Sequence, residues 1–114
     1  MLTIGLFAQV GQVTVQTLRH YDRLGLLKPS QVDRFTNYRY YTLDQLPRLY
    51  RILALKDLGL SLEQIGKILD DDISTEQLRG MLKLRRAELA ETIADASNQL
   101  ARVEAHIRQI EEEG

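Results

Sequence analysis

The chain has 114 residues, of which 44% are apolar and 27% are charged, a composition typical of a folded domain rather than a disordered segment. It contains no cysteine, which excludes disulfides and thiolate metal sites. No apolar run approaches the roughly 18 residues of a membrane span, and the N-terminus shows no signal-peptide pattern, so we expect a cytoplasmic protein with no membrane partner.

The net charge of −1 conceals an asymmetry between the two halves. Residues 1–60 contain eight Lys and Arg against four Asp and Glu, a balance of +4. Residues 61–114 contain seven against twelve, a balance of −5. Such a division favours a basic half that faces a polyanion and an acidic remainder.

The first predicted elements are two short helices joined by a tight turn. Thr3 is expected to cap a helix over residues 4–10 that ends at Gly11. Thr14 is expected to cap a second helix that reaches Leu24, and the glycine after it ends that helix. Two short helices around a glycine-containing turn indicate a helix-turn-helix.

The second predicted helix has two different faces. At about 100° per residue, Leu18, Tyr21 and Leu24 fall on one side, which we expect to face the core. The opposite side is polar and cationic, with Gln16, Arg19, His20 and Arg23. Arginine fits phosphate oxygens or a guanine edge and glutamine can pair with adenine, so this face predicts DNA contact. An ordinary solvated surface is the alternative, and the basic charge of this half favours DNA over it.

A β-hairpin is predicted over residues 30–41, "SQVDRFTNYRYY", after Pro29 has stopped the preceding helix. Its tip is placed near residues 34–37, with Asn37 as the residue of positive φ. Strand alternation divides the side chains that follow into two sides, Tyr38 with Tyr40 and Arg39 with Tyr41. We expect one side to pack on the helices and the other to contact a sugar-phosphate backbone.

Capping-box patterns predict a second pair of helices. Thr42 and Gln45 start one helix, in which Pro47 is tolerated only within the first turn. The same pattern at Ser61 starts a shorter helix that reaches Leu69. The chain therefore divides into a domain over residues 1–69, a linker over 70–74 and one long helix over 75–114.

The long helix carries apolar residues spaced 4-3-4-3-4-3, the a/d repeat of a coiled coil. These residues are Leu89, Ile93, Ala96, Leu100, Val103, Ile107 and Ile110. A helix of about 50 Å or more outreaches its own domain, which disfavours packing against that domain alone. The stripe needs a partner helix, most simply a second copy, so we expect a homodimer whose strand orientation the spacing leaves open.

Three motifs in this order resemble the DNA-binding domain of the MerR family of bacterial transcription regulators: "TLRHYDRLGLLKP", "YRYYT" and "LKDLGLSLEQI". The resemblance covers residues 4–69, and "VDRFTNYRYY" is most similar to the multidrug-responsive branch. It implies a mainly α fold, a winged helix-turn-helix with a second helix pair, followed by an antiparallel coiled-coil dimerisation helix. It also implies a dimer that binds a palindromic promoter element and distorts the promoter spacer so that RNA polymerase can engage it.

The resemblance also assigns DNA-contacting residues by position. The major-groove helix and its backbone anchors would be Thr14, Val15, Gln16, Arg19, His20 and Tyr21. The wing contacts would be Arg34, Asn37, Tyr38, Arg39 and Tyr41. Lys56, from the second helix pair, is expected to reach a phosphate. No cofactor and no metal site are expected.

The sequence is also compatible with two other kinds of protein. We expect no enzyme, because His20 and His106 are far apart and the carboxylates are scattered. One alternative is a coiled-coil adaptor whose basic half binds an acidic protein. Another is a truncated or sensorless regulator that acts only by occupying DNA. Residues 1–69 have just enough apolar side chains to fill their own core, so we expect no separate drug pocket.

Overall fold

The computed structural model describes all 114 residues and has a mainly α fold, as predicted. The chain forms two compact units, residues 1–73 and residues 74–114. In chain order, the elements of the first unit are β1 (Leu2–Thr3), α1 (Ile4–Gly11), α2 (Val15–Arg23), β2 (Gln31–Val32), β3 (Arg39–Tyr41), α3 (Leu46–Asp57) and α4 (Leu62–Leu69). The second unit is the single helix α5 (Thr75–Glu113). None of these helices combines the length and the apolar character that a membrane span requires.

Side-chain caps fix where the second helix pair begins. The Gln45 side chain accepts a hydrogen bond from the backbone N–H of Thr42 at 3.0 Å, which confirms the predicted box. The first turn after Thr42 is a 3₁₀ turn over Leu43–Gln45, and α3 starts directly after it. Pro47 consequently lies in the first turn of α3, where its missing N–H removes no helical hydrogen bond. The box at Ser61 is also present and begins α4.

The three strands form one antiparallel sheet with β3 in the centre, between β1 and β2. Leu2 pairs with Tyr41 across one side of β3, and Val32 pairs with Arg39 across the other. The predicted hairpin is confirmed, and Asn37 at its tip has a φ of 61°. Strand β1 was not predicted, because two residues are too few to show an alternating pattern.

The end of α1 differs from the prediction. The left-handed residue is Gln12, with a φ of 58°, whereas Gly11 still belongs to the helix. A Cβ on Gly11 would lie 2.5 Å from Cδ2 of Leu49, a fully buried residue of α3. The glycine is therefore required for the close approach of α1 and α3 and not for the turn.

We expect Gly11→Val to lower the free energy of unfolding by about 1–3 kcal/mol, because the added side chain overpacks the contact with Leu49. Gly5→Ala is the matched control, since a Cβ at Gly5 meets nothing within 4 Å and alanine favours the same helix. Urea unfolding of both variants measures the difference. Equal stability of the two would contradict the packing argument.

The core of the first unit joins α1, α2, α3, α4 and β3. Its largest fully buried side chains are Phe7, Leu18, Tyr21, Leu27, Tyr41, Leu49, Ile52 and Ile65. Phe7 and Tyr41 stack with their ring centroids 4.7 Å apart. The hydroxyl groups of Tyr21 and Tyr41 are buried without a hydrogen-bond partner.

One residue expected in this core lies outside it. Leu24 is 50% exposed, so its predicted position on the buried face of α2 is wrong. It ends the helix, and with Leu26 and Leu62 it lines an open depression of about 460 Å³ bordered by Glu63 and Asp72. The apolar side chains of this unit are therefore not all used in filling the core.

Tyr41→Phe tests the unpartnered hydroxyl. Burial raises the pKa of Tyr41 to about 12, and the nearby Asp22 carboxylate acts in the same direction. The unfolded chain releases this proton near pH 10, whereas the folded chain keeps it until the pH approaches 12. The free energy of unfolding of the wild type is therefore unaffected by this group below about pH 10 and falls as the pH rises from about 10 towards 12. The phenylalanine variant keeps the ring and should be as stable as the wild type at pH 7, or more stable by up to about 1 kcal/mol. Urea unfolding should show it losing less stability than the wild type above pH 10, and identical losses would contradict the assignment.

Candidate DNA-binding interface

Helix α2 presents the polar face that its sequence predicts. The side chain of Thr14 caps the helix by accepting a hydrogen bond from the backbone N–H of Thr17 at 3.0 Å. Leu18 and Tyr21 are buried on the inner side. The four polar residues of the opposite side are all exposed, namely Gln16, Arg19, His20 and Arg23. The direction of this face is therefore set by burial of the inner residues.

Side chains of α3 and of the 3₁₀ turn before it bond to the backbone of the turn after α2 and hold it in place. Nε of Arg48 donates to the carbonyl oxygen of Leu26 at 2.6 Å, and Nε2 of Gln45 donates to that of Lys28 at 2.6 Å. Gly25 makes the turn possible with a φ of 75°. These bonds fix α2 relative to the second helix pair, so its exposed face has a defined orientation.

An ion pair connects the hairpin to α2. Nε of Arg39 in β3 donates to Oδ2 of Asp22 at 2.9 Å, and both side chains are partly buried. Sequence reasoning placed Arg39 among the DNA contacts and did not single out Asp22. The sequence did contain a signal for this ion pair, because Asp22 is an acidic residue on the flank of a cationic helix. Through this ion pair, Arg39 positions the wing, which is the hairpin of β2 and β3, against α2.

Hydrogen bonds within the turn define the conformation of the hairpin tip. Oδ1 of Asp33 accepts hydrogen bonds from the backbone N–H groups of Phe35 at 2.8 Å and Thr36 at 3.0 Å. The backbone N–H of Asn37 donates to the carbonyl oxygen of Asp33 at 2.9 Å. The N–H groups of Thr36 and Phe35 also hold the pKa of the Asp33 carboxyl below its usual value. Arg34, one of the predicted wing contacts, is exposed within this turn.

The structure brings four predicted site residues together around one open cavity. Its volume is about 260 Å³, and its lining consists of Thr3, Ile4, Arg19, Asn37, Tyr38 and Arg39. Arg19 comes from α2 and the other predicted contacts come from the wing, so the two elements form one surface. The Arg19 guanidinium lies here beside a carboxamide, a phenol and the N–H groups of Arg39 other than the Nε–H that Asp22 accepts, and such donors suit an anionic group such as a phosphate.

Two predicted contacts are corrected by their burial. Tyr21 is 1% exposed and Tyr41 is fully buried, so neither side chain has a free surface for DNA. Both lie on the inward side of their elements, where they pack the core behind the interface. Arg39 shares the inner side of β3 with Tyr41, and Tyr38 on the opposite side is 64% exposed.

The remaining predicted contacts have varied positions. Val15 is half-buried at the start of α2, and Thr14 is exposed but engaged as the helix cap. Lys56 is exposed in the last turn of α3 and is not part of the cavity lining. The charge of Lys56 therefore lies on α3, outside the surface that α2 and the wing form.

Helix α5 carries the predicted heptad residues on its surface. The stripe is exposed along its whole length, at Leu89, Ile93, Ala96, Leu100, Val103, Ile107 and Ile110. At 1.5 Å per residue this stripe extends for about 30 Å. Exposed apolar stripes of that length are typical of interaction surfaces.

A helix-turn-helix, a following wing and a basic outer face together define a winged helix-turn-helix DNA-binding protein. The family described as "MerR HTH family regulatory protein" matches residues 2–72, and the description "MerR, DNA binding" matches residues 46–105. The chain belongs to the MerR family of DNA-binding transcription regulators.

Three relatives illustrate the similarity. The transcriptional regulator BrlR of Pseudomonas aeruginosa is 37% identical over 106 residues, which cover 91% of this chain and 39% of BrlR. The cryo-EM structure of the EcmrR–DNA complex in EcmrR-RPo has a TM-score of 0.81 at 32% identity and covers 94% of this chain and 38% of that one. HiNmlR, a MerR family regulator lacking the sensor domain and bound to promoter DNA, has a TM-score of 0.58 at 26% identity over 93% of this chain and 86% of that one. The chain thus spans about two fifths of the length of the first two relatives.

Proposed function

We propose that the protein is a sequence-specific regulator that binds a palindromic promoter element as a homodimer. The observation that carries the proposal is the shared surface of α2 and the wing, where Arg19 and Arg39 line one cavity. The exposed α2 face enters the major groove, and Gln16, Arg19 and His20 are directed at base edges and phosphates. The wing lies along the neighbouring phosphate strand. The relatives are regulators, which favours this function over an enzymatic one.

The dimer is proposed to form through the α5 stripe of two copies. Arg85 and Arg86 lie before the heptad residues, whereas Glu111–Glu113 lie after them. A parallel pair would place the acidic ends side by side, and an antiparallel pair places each basic end beside an acidic end. Charge therefore favours the antiparallel arrangement. Two α2 helices then reach successive major grooves about 34–36 Å apart on a palindromic site.

We further propose that the bound dimer distorts an over-long promoter spacer so that RNA polymerase can engage the promoter. Contacts from both helices and both wings offset the energy of deforming the duplex. Such a regulator acts in the cytoplasm, where bacterial DNA lies. HiNmlR supports a second candidate, a regulator without a sensor domain that works from the DNA-bound unit alone.

Fluorescence anisotropy with duplex DNA tests the proposal and separates it from the adaptor alternative. Phosphate contacts release counterions, so affinity should fall by about 10³–10⁵-fold between 50 and 200 mM salt if six to ten phosphates are contacted. A labelled polyglutamate of similar charge serves as the control anion and should bind much more weakly. Equal binding of polyglutamate and DNA would favour an adaptor for acidic proteins.

A further inference from the structure

The turn after α2 and the second half of α4 approach each other closely. Leu26, in that turn, is buried, and a Cβ on Gly66 of α4 would lie 3.3 Å from Cδ2 of Leu26. A side chain at position 66 would press against the leucine, so the glycine permits the contact. The turn and the helix are therefore packed against each other.

One side chain of α3 bridges the same two segments. Nε of Arg48 donates to the carbonyl oxygen of Leu26 at 2.6 Å, and Nη2 donates to Oδ1 of Asp70 at 3.4 Å. Asp70 is the residue that ends α4. A guanidinium is planar and presents its N–H groups in a fixed fork, so it holds its two acceptors at a set distance from each other. Arg48 thus connects the turn after α2 to the end of α4.

Asp70 lies close to the point where the chain leaves the first unit. After it, Asp71 has a left-handed φ of 60°, and the backbone N–H of Asp72 donates to the carbonyl oxygen of Lys67 at 2.9 Å. The first unit ends at residue 73, and α5 begins two residues later. The end of α4 is therefore the place from which the chain continues into the helix that carries the heptad stripe.

We propose that Arg48 and Asp70 form a positioning pair, which fixes the direction in which the chain leaves the first unit relative to α2. This inference rests on the proposed function as a dimer on a palindromic site. One base pair more or less between the half-sites moves one of them by about 3.4 Å along the duplex and rotates it by roughly 36°. A fixed connection between α2 and the end of α4 lets the dimer accept one half-site spacing and reject its neighbours.

The pair contributes little to the stability of the fold. The side chain of Arg48 is 36% exposed and that of Asp70 is 61% exposed, and ion pairs between side chains this exposed stabilise folded proteins only weakly. Loss of the Asp70 carboxylate therefore leaves the fold intact but removes one link between the end of α4 and the turn after α2. Its effect is expected in the half-site spacing that the dimer accepts and not in the free energy of unfolding.

Asp70→Asn in the full chain tests the pair. Asp72→Asn is the matched control, because it removes the same charge two residues away, outside the pair. The probes are an inverted repeat that the wild type selects from a random-sequence pool, the same repeat lengthened or shortened by one base pair, and a duplex with a single half-site. The ratio of the Kd for an altered repeat to the Kd for the selected repeat measures the discrimination between spacings.

We expect Asp70→Asn to lower this discrimination about three- to tenfold, because a looser connection weakens simultaneous binding of both half-sites at the selected spacing. Asp72→Asn should keep the wild-type discrimination, and so should Asp70→Glu, which retains the carboxylate. The single half-site should bind Asp70→Asn and Asp72→Asn equally well. Urea unfolding should show the same stability for these variants as for the wild type.

A double-mutant cycle with Arg48→Gln gives the second readout. If the two residues act as a pair, Asp70→Asn should lower the discrimination in the wild-type background and leave it unchanged in the Arg48→Gln background. Additive effects of the two substitutions would overturn the inference. Folding of the Arg48→Gln variant is checked by the same urea titration, and the comparison of Asp70→Asn with Asp72→Asn does not depend on it.

Two other results would overturn the inference while leaving DNA binding intact. One is a discrimination in Asp70→Asn equal to that of Asp72→Asn, including the case in which the wild type binds all three spacings equally. The other is an equal loss of affinity for the single half-site and for the full repeat, since the carboxylate would then act within one unit alone. Absence of duplex binding by the wild type would overturn the proposed function and this inference together.

Discussion

Leu100→Asp is expected to convert the dimer into monomers and to remove most of its affinity for duplex DNA. Leu100 is the central residue of the heptad stripe and is 58% exposed in the single chain. In a paired coiled coil this position is covered by the partner helix, and two carboxylates would be buried there without partners. Burial of the two carboxylates destabilises the paired state and not the separate chains, so the equilibrium shifts towards monomers.

Loss of the dimer affects DNA binding through avidity. A monomer contacts one half-site, and a linked pair of half-sites typically binds about 10²–10⁴-fold more tightly than one alone. Analytical ultracentrifugation and anisotropy on one preparation measure both effects. Asn98→Asp is the control, since it adds the same charge two residues away at a position outside the heptad stripe. A Leu100→Asp protein that remains dimeric would show that the copies associate through another surface.

Arg19→Ala is expected to weaken DNA binding by about 1–3 kcal/mol, the range for an arginine that pairs with a base edge. Arg19 is exposed on α2 and lines the cavity that the wing completes, so its guanidinium lies where helix and wing meet. Removal of a base contact should also relax sequence preference at one position of each half-site. Removal of a phosphate contact should instead lower the salt slope by about one.

Arg108→Ala is the matched control for this variant, because it removes the same charge from α5, far along the chain from the interface. Anisotropy titrations at several salt concentrations compare both variants with the wild type. If Arg19→Ala and Arg108→Ala reduce affinity equally, the α2 face makes no specific contact. The assignment of α2 to the major groove would then be wrong.

Local signals in the sequence predict much of this fold. Thr14 and Ser61 were identified as caps because their hydroxyls precede helical patterns, and both accept the expected backbone hydrogen bonds. Asn37 was identified as the left-handed residue of the hairpin for a similarly local reason. Helical periodicity also separated the exposed side of α2 from Leu18 and Tyr21. Each of these features depends on residues within one or two turns of each other.

The errors concern features that depend on tertiary packing. Alternation placed Tyr41 and Arg39 on one side of β3, but only the packed structure shows that this side faces Phe7 and α2. The family resemblance assigned Tyr21 and Tyr41 to DNA contact by their positions in the motifs. A position in a motif carries no information on the burial of the side chain. Gly11 was interpreted as a turn residue from its neighbours alone. Its actual role is a contact with α3, which joins segments far apart in sequence and so leaves no local signal.

Selection of bound fragments from a random-sequence duplex pool, followed by sequencing, tests the central claim most directly. The proposed dimer should enrich an inverted repeat whose half-sites lie about one helical turn, or a multiple of it, apart. The same selection with Leu100→Asp should fail to enrich the paired half-sites. A pool that stays random after repeated rounds with the wild-type protein would contradict sequence-specific DNA binding.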